Sequence, residues 1–214
     1  MDKRFAAILV ACVVALGGVF WFTRDKSTQS NTGGNGATLS NHTTGKNAKG
    51  VTLVEYGDFQ CPACSAYHTI IKQVIAKYQD DISFQFRNFP LSQIHQNARA
   101  AARAAEAADK QGKYWAMHDA LYEQQQSWES VGDPKAVFES YAEQLGLDKA
   151  KFQQDYASSA VNETINADFA EGQKLGVDST PSFFLQGKKL DASVRDLDGF
   201  SKVIDEAIKN AAKK

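Results

Sequence analysis

A chain of 214 residues, 43% hydrophobic and 23% charged, is long enough for one domain with a real core and an insertion, and its composition is that of an ordinary globular protein. Twenty-five acidic residues against 24 basic ones leave a net charge of −1, which excludes the basic signature of a nucleic-acid binder. Three cysteines do not make a disulfide scaffold, and two of them, Cys61 and Cys64, stand three apart, a spacing for chemistry rather than stapling.

The chain opens with Asp2-Lys3-Arg4, followed by an uncharged run from Phe5 to Phe22. As a helix that run reaches about 27 Å, near the thickness of a hydrocarbon core. Residues 1–26 are therefore expected to be a single-pass signal anchor that leaves the remainder outside the cytoplasm. The alternative is a signal peptide cleaved after Gly17; Val19-Phe20-Trp21-Phe22 prolongs the apolar run beyond that site and favours the anchor. Leu9-Val10-Ala11-Cys12 has the look of a lipobox, but few apolar residues precede Cys12 and many follow, so it reads better as a small apolar residue within the helix. Residues 27–50 are rich in Gly, Ser, Thr and Asn without apolar periodicity, and are expected to be a flexible polar linker.

From Val51 the pattern changes. Val51–Tyr56 reads as a strand, a Gly-Asp turn leads to Cys61, and Ala66–Tyr78 carries helical spacing through Ile70, Ile71, Val74 and Ile75. Ile82–Phe86 alternates as a second strand, parallel to the first if the helix is a crossover. The alanine-rich stretch Ile94–Lys110 is strongly helix-forming, and Lys113–Gln125 continues as a helix. Asp133-Pro134 opens another, with Asp as cap and Pro at the first position, running to Gly146. Helices then follow from Leu147 through Tyr156 and from Asn162 to a cap at Gly176. Ser182–Leu185 is a strand, Gln186-Gly187-Lys188 a hairpin turn, and Leu197–Ala211 a closing helix. This order predicts an α/β thioredoxin fold, residues 51–91 and 177–214, split by an α-helical insertion over 92–176.

Cys61 falls at the start of the first helix. There, unpaired backbone N–H groups and the positive end of the helix dipole stabilise a thiolate, lower its pKa, and make the corresponding disulfide more oxidising. Pro62 suits an early helical position, which loses nothing by lacking an N–H. Cys64, one turn on and more buried, is placed to attack a mixed disulfide at Cys61. A zinc knuckle needs two further ligands, and His42, His68, His95 and His118 are scattered, so no metal is expected; a structural disulfide rarely spans two residues at a helix start. Pro181, directly before a strand, is either a strand-initiating proline or one whose bond to Thr180 is cis, freeing the Thr180 backbone to pair with an extended substrate. Glu55 is either a solvent-facing strand residue or a buried acid that takes the proton of Cys64, and spacing alone leaves both open.

Three segments, Val54–Cys64, Phe86–Leu91 and Thr180–Phe184, together with Asn97-Ala98 and Lys113-Tyr114-Trp115, resemble the DsbA-like disulfide oxidoreductases, most closely their membrane-tethered, Bacillus-type branch. The likeness runs from about Gly50 to Lys209. It implies an oxidase that donates a disulfide to newly exported proteins with cysteine pairs. In that reading Cys61 is the attacking cysteine, Cys64 the buried one, Glu55 the buried acid and Pro181 the cis-proline, with Thr180, Pro62 and Ala63 facing substrate. The redox-active disulfide is the only cofactor implied. The family's reoxidising partner is a membrane quinone reductase of the DsbB or VKOR type, and the linker is too polar for a dimerisation domain, so a monomer is expected. The best-known member carries histidine where this chain has Ala63, which implies a less depressed Cys61 pKa and a milder oxidant. A reductase or isomerase on the same fold, and a chaperone-like peptide-binding module, are the rival readings.

Overall fold

The computed structural model describes residues 38–213; the expected anchor, Cys12 and the first part of the expected linker lie outside the described residues. Among the described residues no helix is long and apolar enough to cross a membrane. The elements in chain order are β1 (His42–Thr44), β2 (Val51–Gly57), α1 (Pro62–Tyr78), β3 (Ile82–Asn88), α2 (Ala98–Asp109), α3 (Tyr114–Glu123), α4 (Lys135–Gln144), α5 (Lys149–Ala157), α6 (Ser159–Lys174), β4 (Ser182–Leu185), β5 (Lys188–Lys189) and α7 (Leu197–Ala211).

The strands form one mixed sheet in the order β1-β3-β2-β4-β5. β2 and β3 are parallel, as a helical crossover requires, while β1, β4 and β5 join antiparallel. β2 lies at the centre with both faces covered, which is why it reads as a nearly unbroken apolar run. On one face, Val51 and Leu53 join Phe84, Phe86, Ile71, Val74 and Phe200 in the main core. On the other, Tyr56, Phe89, Val177 and Phe184 form a smaller cluster under Phe169 of α6. Five helices, α2 to α6, sit between β3 and β4, giving the expected α/β domain with a helical insertion. Their hub is α2, whose buried alanines allow α3, α4, α5 and α6 to pack close around it.

Some boundaries differ from the sequence expectation. The ordered chain begins before Val51, because His42–Thr44 pairs with Phe84–Phe86 as an edge strand. What anchors this segment is polar, and so left no apolar pattern to read. Ser40 gives its N–H and hydroxyl to Asp168, while His42 contacts Glu106 at 2.7 Å and stacks on Tyr114 at 3.4 Å. At Gly45 (φ 91°) the chain crosses the start of β3 so closely that a Cβ would lie 2.3 Å from the Ile82 carbonyl oxygen. Helix α1 starts at Pro62 with Cys61 as its cap, as expected, and its first turn carries the cysteine pair ahead of the apolar spacing that begins at Ala66. Helix α4 starts at Lys135; Pro134 is its cap residue, and the Asp133 carboxylate accepts the Lys135 N–H at 3.0 Å.

Candidate active site

The site grows from the C-terminal end of β2, where Gly57 turns the chain into the loop Asp58-Phe59-Gln60. A Cβ on Gly57 would meet the Phe86 ring at 2.4 Å, so only glycine lets the strand end this close to its neighbour. The loop is held by side chains. The buried Asp58 carboxylate accepts the N–H of Gln60 (2.8 Å) and of Leu91 (2.9 Å) and lies 2.7 Å from His95 Nδ1. Gln60 bridges to the insertion, accepting the Asn97 N–H at 2.6 Å and donating to the Glu129 carbonyl at 2.8 Å. From beneath, Gln125 donates to the carbonyls of Phe59 (2.8 Å) and Cys61 (3.1 Å).

Cys61 is the cap residue of α1, with extended backbone (φ −70°, ψ 122°), and Pro62 takes the first helical position as expected. Its pKa is lowered to about 5. The largest cause is a hydrogen bond from the Cys64 thiol, opposed by burial and reinforced by Thr180 and by the N–H groups of Cys64 and Ala63. As a thiol, Cys61 donates to the Thr180 carbonyl at 3.4 Å. The Thr180 hydroxyl is buried without a hydrogen-bond partner and is among the groups that favour the Cys61 thiolate. Cys64 is fully buried, and burial first, then its neighbours Cys61 and Glu55, push its thiol well above the usual range. Both cysteines are free thiols, so this is the reduced form of the pair.

Glu55 is a buried acid. It is 3% exposed, and the register sets it between Phe86 of β3 and Phe183 of β4 on the core face of the sheet. Burial, and secondarily the charge on Cys61, raises its pKa to about 8, so it holds a proton at neutral pH. The Thr180–Pro181 bond is cis, and the segment comes to Cys61 through the Thr180 carbonyl. Pro62 and Ala63 are exposed beside the sulfur. The structure thus brings Cys61, Cys64, Glu55, Thr180, Pro181, Pro62 and Ala63 to one end of the central strands. Clefts lie on both sides of residues 177–182: one of about 280 Å³ between Tyr67, Pro181 and Leu190, another of about 620 Å³ between Leu91, Ile94, Phe169 and Val177.

Sequence reasoning missed Gln125, whose amide looks in sequence like an ordinary solvent-facing helical residue. It also missed Tyr122, whose ring covers Phe59 at 5.0 Å and whose hydroxyl is buried without a partner. The histidines are not all scattered either: His68 of α1 and His118 of α3 meet with ring centroids 5.4 Å apart, fifty residues apart in sequence. No local pattern carries that contact.

A family profile described as thioredoxin matches residues 37–206. Among solved structures, a thioredoxin-like oxidoreductase from Silicibacter pomeroyi DSS-3 aligns with a TM-score of 0.66 at 28% identity, over 78% of this chain and 92% of that one. BdbD from Bacillus subtilis in its oxidised form aligns with a TM-score of 0.68 at 24% identity, again over 78% and 92%. The Na(+)/H(+) antiporter NhaA 1 of Mycolicibacterium gilvum is 37% identical over 150 residues, which is 69% of this chain but 24% of that protein. The chain spans about a quarter of the length of the curated relatives it matches. With both fold and profile covering the domain that holds the cysteine pair, the chain belongs to the thioredoxin family, DsbA-like in architecture and bearing the Cys-x-x-Cys pair of a thiol–disulfide oxidoreductase.

Proposed function

We propose that the protein is an oxidase, which passes a disulfide from Cys61–Cys64 to exported proteins that carry cysteine pairs. The observation that carries the direction is the depressed pKa of Cys61, about 5, because a stabilised thiolate favours the reduced form and makes the disulfide the stronger oxidant. In the oxidised protein a substrate thiolate attacks the Cys61 sulfur, the Cys61–Cys64 bond breaks, and Cys64 departs with the electron pair. Its thiolate is disfavoured by burial, and protonated Glu55 supplies the proton. The second substrate thiolate then attacks the substrate sulfur of the mixed disulfide and releases Cys61 as a stable thiolate. Two electrons have moved from substrate to the pair. The exposed faces of Pro62 and Ala63, and the cis segment Thr180-Pro181, offer an extended peptide a place beside the sulfur.

The uncharged run Phe5–Phe22 supports a membrane-anchored domain on the extracytoplasmic side, working as a monomer. Relatives in which such a domain forms part of a protein named an antiporter agree with work at a membrane. A quinone reductase of the DsbB or VKOR type, itself in the membrane, fits as the partner that takes the electrons onward.

The test is the reduction potential of the pair equilibrated against glutathione. It is expected between about −120 and −200 mV, the range of oxidising members and isomerases, and a value near about −270 mV overturns the oxidase direction. Cys61→Ala must abolish oxidation of a reduced substrate protein, whereas a peptide-binding module would keep its substrate binding, and so its activity, in that variant.

A further inference from the structure

Beside the cysteine pair, on the face of α1 that packs against α3, lies a cluster the redox chemistry does not use. His68 stands four residues beyond Cys64, and His118, Asp119 and Glu123 come from α3. Both imidazoles are buried, 7% and 4% exposed, in a setting where a ring nitrogen ordinarily finds a hydrogen-bond partner. His68 Nε2 has none, although it points between two carboxylates, 3.7 Å from Asp119 Oδ1 and 3.9 Å from Glu123 Oε1. His118 Nδ1 faces the same Asp119 oxygen at 3.2 Å. One donor atom from each of His68, His118 and Asp119 lies within 4.8 Å of the others.

Ligands held about 2.0–2.1 Å from a tetrahedral zinc ion lie about 3.3 Å from one another. The separations of His118 and His68 from Asp119 Oδ1, 3.2 and 3.7 Å, already approach that spacing, and the wider spacing, within 4.8 Å, closes by side-chain shifts of up to about 1.5 Å. The rings are already oriented: His118 is packed against Phe86 (4.9 Å) and Trp115 (5.1 Å), and His68 stacks on Tyr122 (5.1 Å). Asp119 and Glu123 are partly exposed and give an ion a path in. One group opposes a cation. Lys72 holds Asp119 Oδ2 at 3.3 Å and Glu123 Oε1 at 2.8 Å, while leaving Asp119 Oδ1 turned toward the histidines.

We propose that His68, His118 and Asp119, with Glu123 completing the shell once Lys72 swings away, form a binding site for Zn²⁺. Two imidazoles and carboxylate oxygen suit zinc over magnesium or calcium, which prefer oxygen alone. The site is separate from Cys61 and Cys64, so it is tested with the pair oxidised and Cys12 replaced by serine, which leaves no thiol able to ligate.

Zinc chloride is titrated by calorimetry into the full-length oxidised protein in detergent. One ion per chain at micromolar affinity or tighter is expected; His68→Gln and Asp119→Asn weaken it at least tenfold, and Lys72→Gln, at a half-exposed position that leaves the fold intact, tightens it severalfold. X-ray absorption of the zinc-loaded protein should show imidazole scattering and no sulfur. Absence of binding, binding that His68→Gln leaves unchanged, or a zinc shell without imidazole overturns the proposal.

Discussion

The hydroxyl of Thr180 is a small group in a decisive place: buried, without another partner, and within reach of the Cys61 sulfur once that sulfur is charged. A hydrogen bond to a charged group contributes about 1.5–3 kcal/mol, and one pKa unit corresponds to about 1.4 kcal/mol. Thr180→Val should therefore raise the Cys61 pKa by about one to two units, read from thiolate absorbance against pH in the reduced protein. No movement would mean that the helix N–H groups and Cys64 do all the stabilising. Glu55 supplies a second test at this scale. Its folded pKa, about 8, lies above the ordinary 4.5, so its favourable contribution is complete below pH 4.5 and is lost as pH rises toward 8. Oxidised wild-type protein is expected to lose on the order of 3 kcal/mol relative to Glu55→Gln between pH 5 and 9, measured by urea unfolding. Comparison with the variant matters because His42, raised to about 9 by Asp109 and Glu106 against the effect of burial, also loses its contribution as pH rises. Parallel profiles would show that the fold does not raise the Glu55 pKa and that the group is already ionised at pH 5.

Elements are tied together here by a few polar side chains. Asp168 of α6 is fully buried and accepts from Ser40 (N–H and hydroxyl), Asn88 (N–H and amide) and Arg87, so it joins α6, the end of β3 and the chain entering β1. Arg87 also donates to the Ser40 carbonyl. Removing one partner of a buried pair costs about 3–5 kcal/mol, since the other charge remains desolvated. Asp168→Ala should lose stability of that order in urea unfolding and expose residues 38–44 to faster amide exchange. A loss under about 1 kcal/mol would show that water enters and replaces the carboxylate. This knot also explains why the ordered segment before Val51 went unseen: Ser40, His42 and Thr44 have no periodic apolar pattern, and their partners lie far along the chain.

At the scale of the whole molecule, the helical insertion is part of the active site's support. Gln60, Asn97 and Gln125 link the loop before Cys61 to residues 125–131 through side-chain and carbonyl hydrogen bonds. The insertion therefore fixes the angle at which Cys61 meets the helix terminus. Gln125→Leu, which keeps the volume but leaves the Phe59 and Cys61 carbonyls unpaired, should slow substrate oxidation severalfold while costing about 1–3 kcal/mol of stability. Unchanged oxidation with the expected stability loss would make Gln125 a purely structural tie.

Much of this was legible in the sequence. The cysteine pair, its place at a helix start, the proline before β4 and the order of strands and helices follow from local rules: helical and strand periodicity, turn residues and the chemistry of a helix N-terminus. Those rules act over a few residues and need no fold to be applied. What only the tertiary structure decided involves groups distant in sequence that share one low-dielectric space. Glu55 is an acid on an apolar strand in either reading, and its position between Phe86 and Phe183 is what turns it into a protonated one. His68 and His118 are ordinary helical residues until α1 packs on α3. Desolvation and cross-chain hydrogen bonding depend on what surrounds a group, and that exists only once the chain has closed on itself.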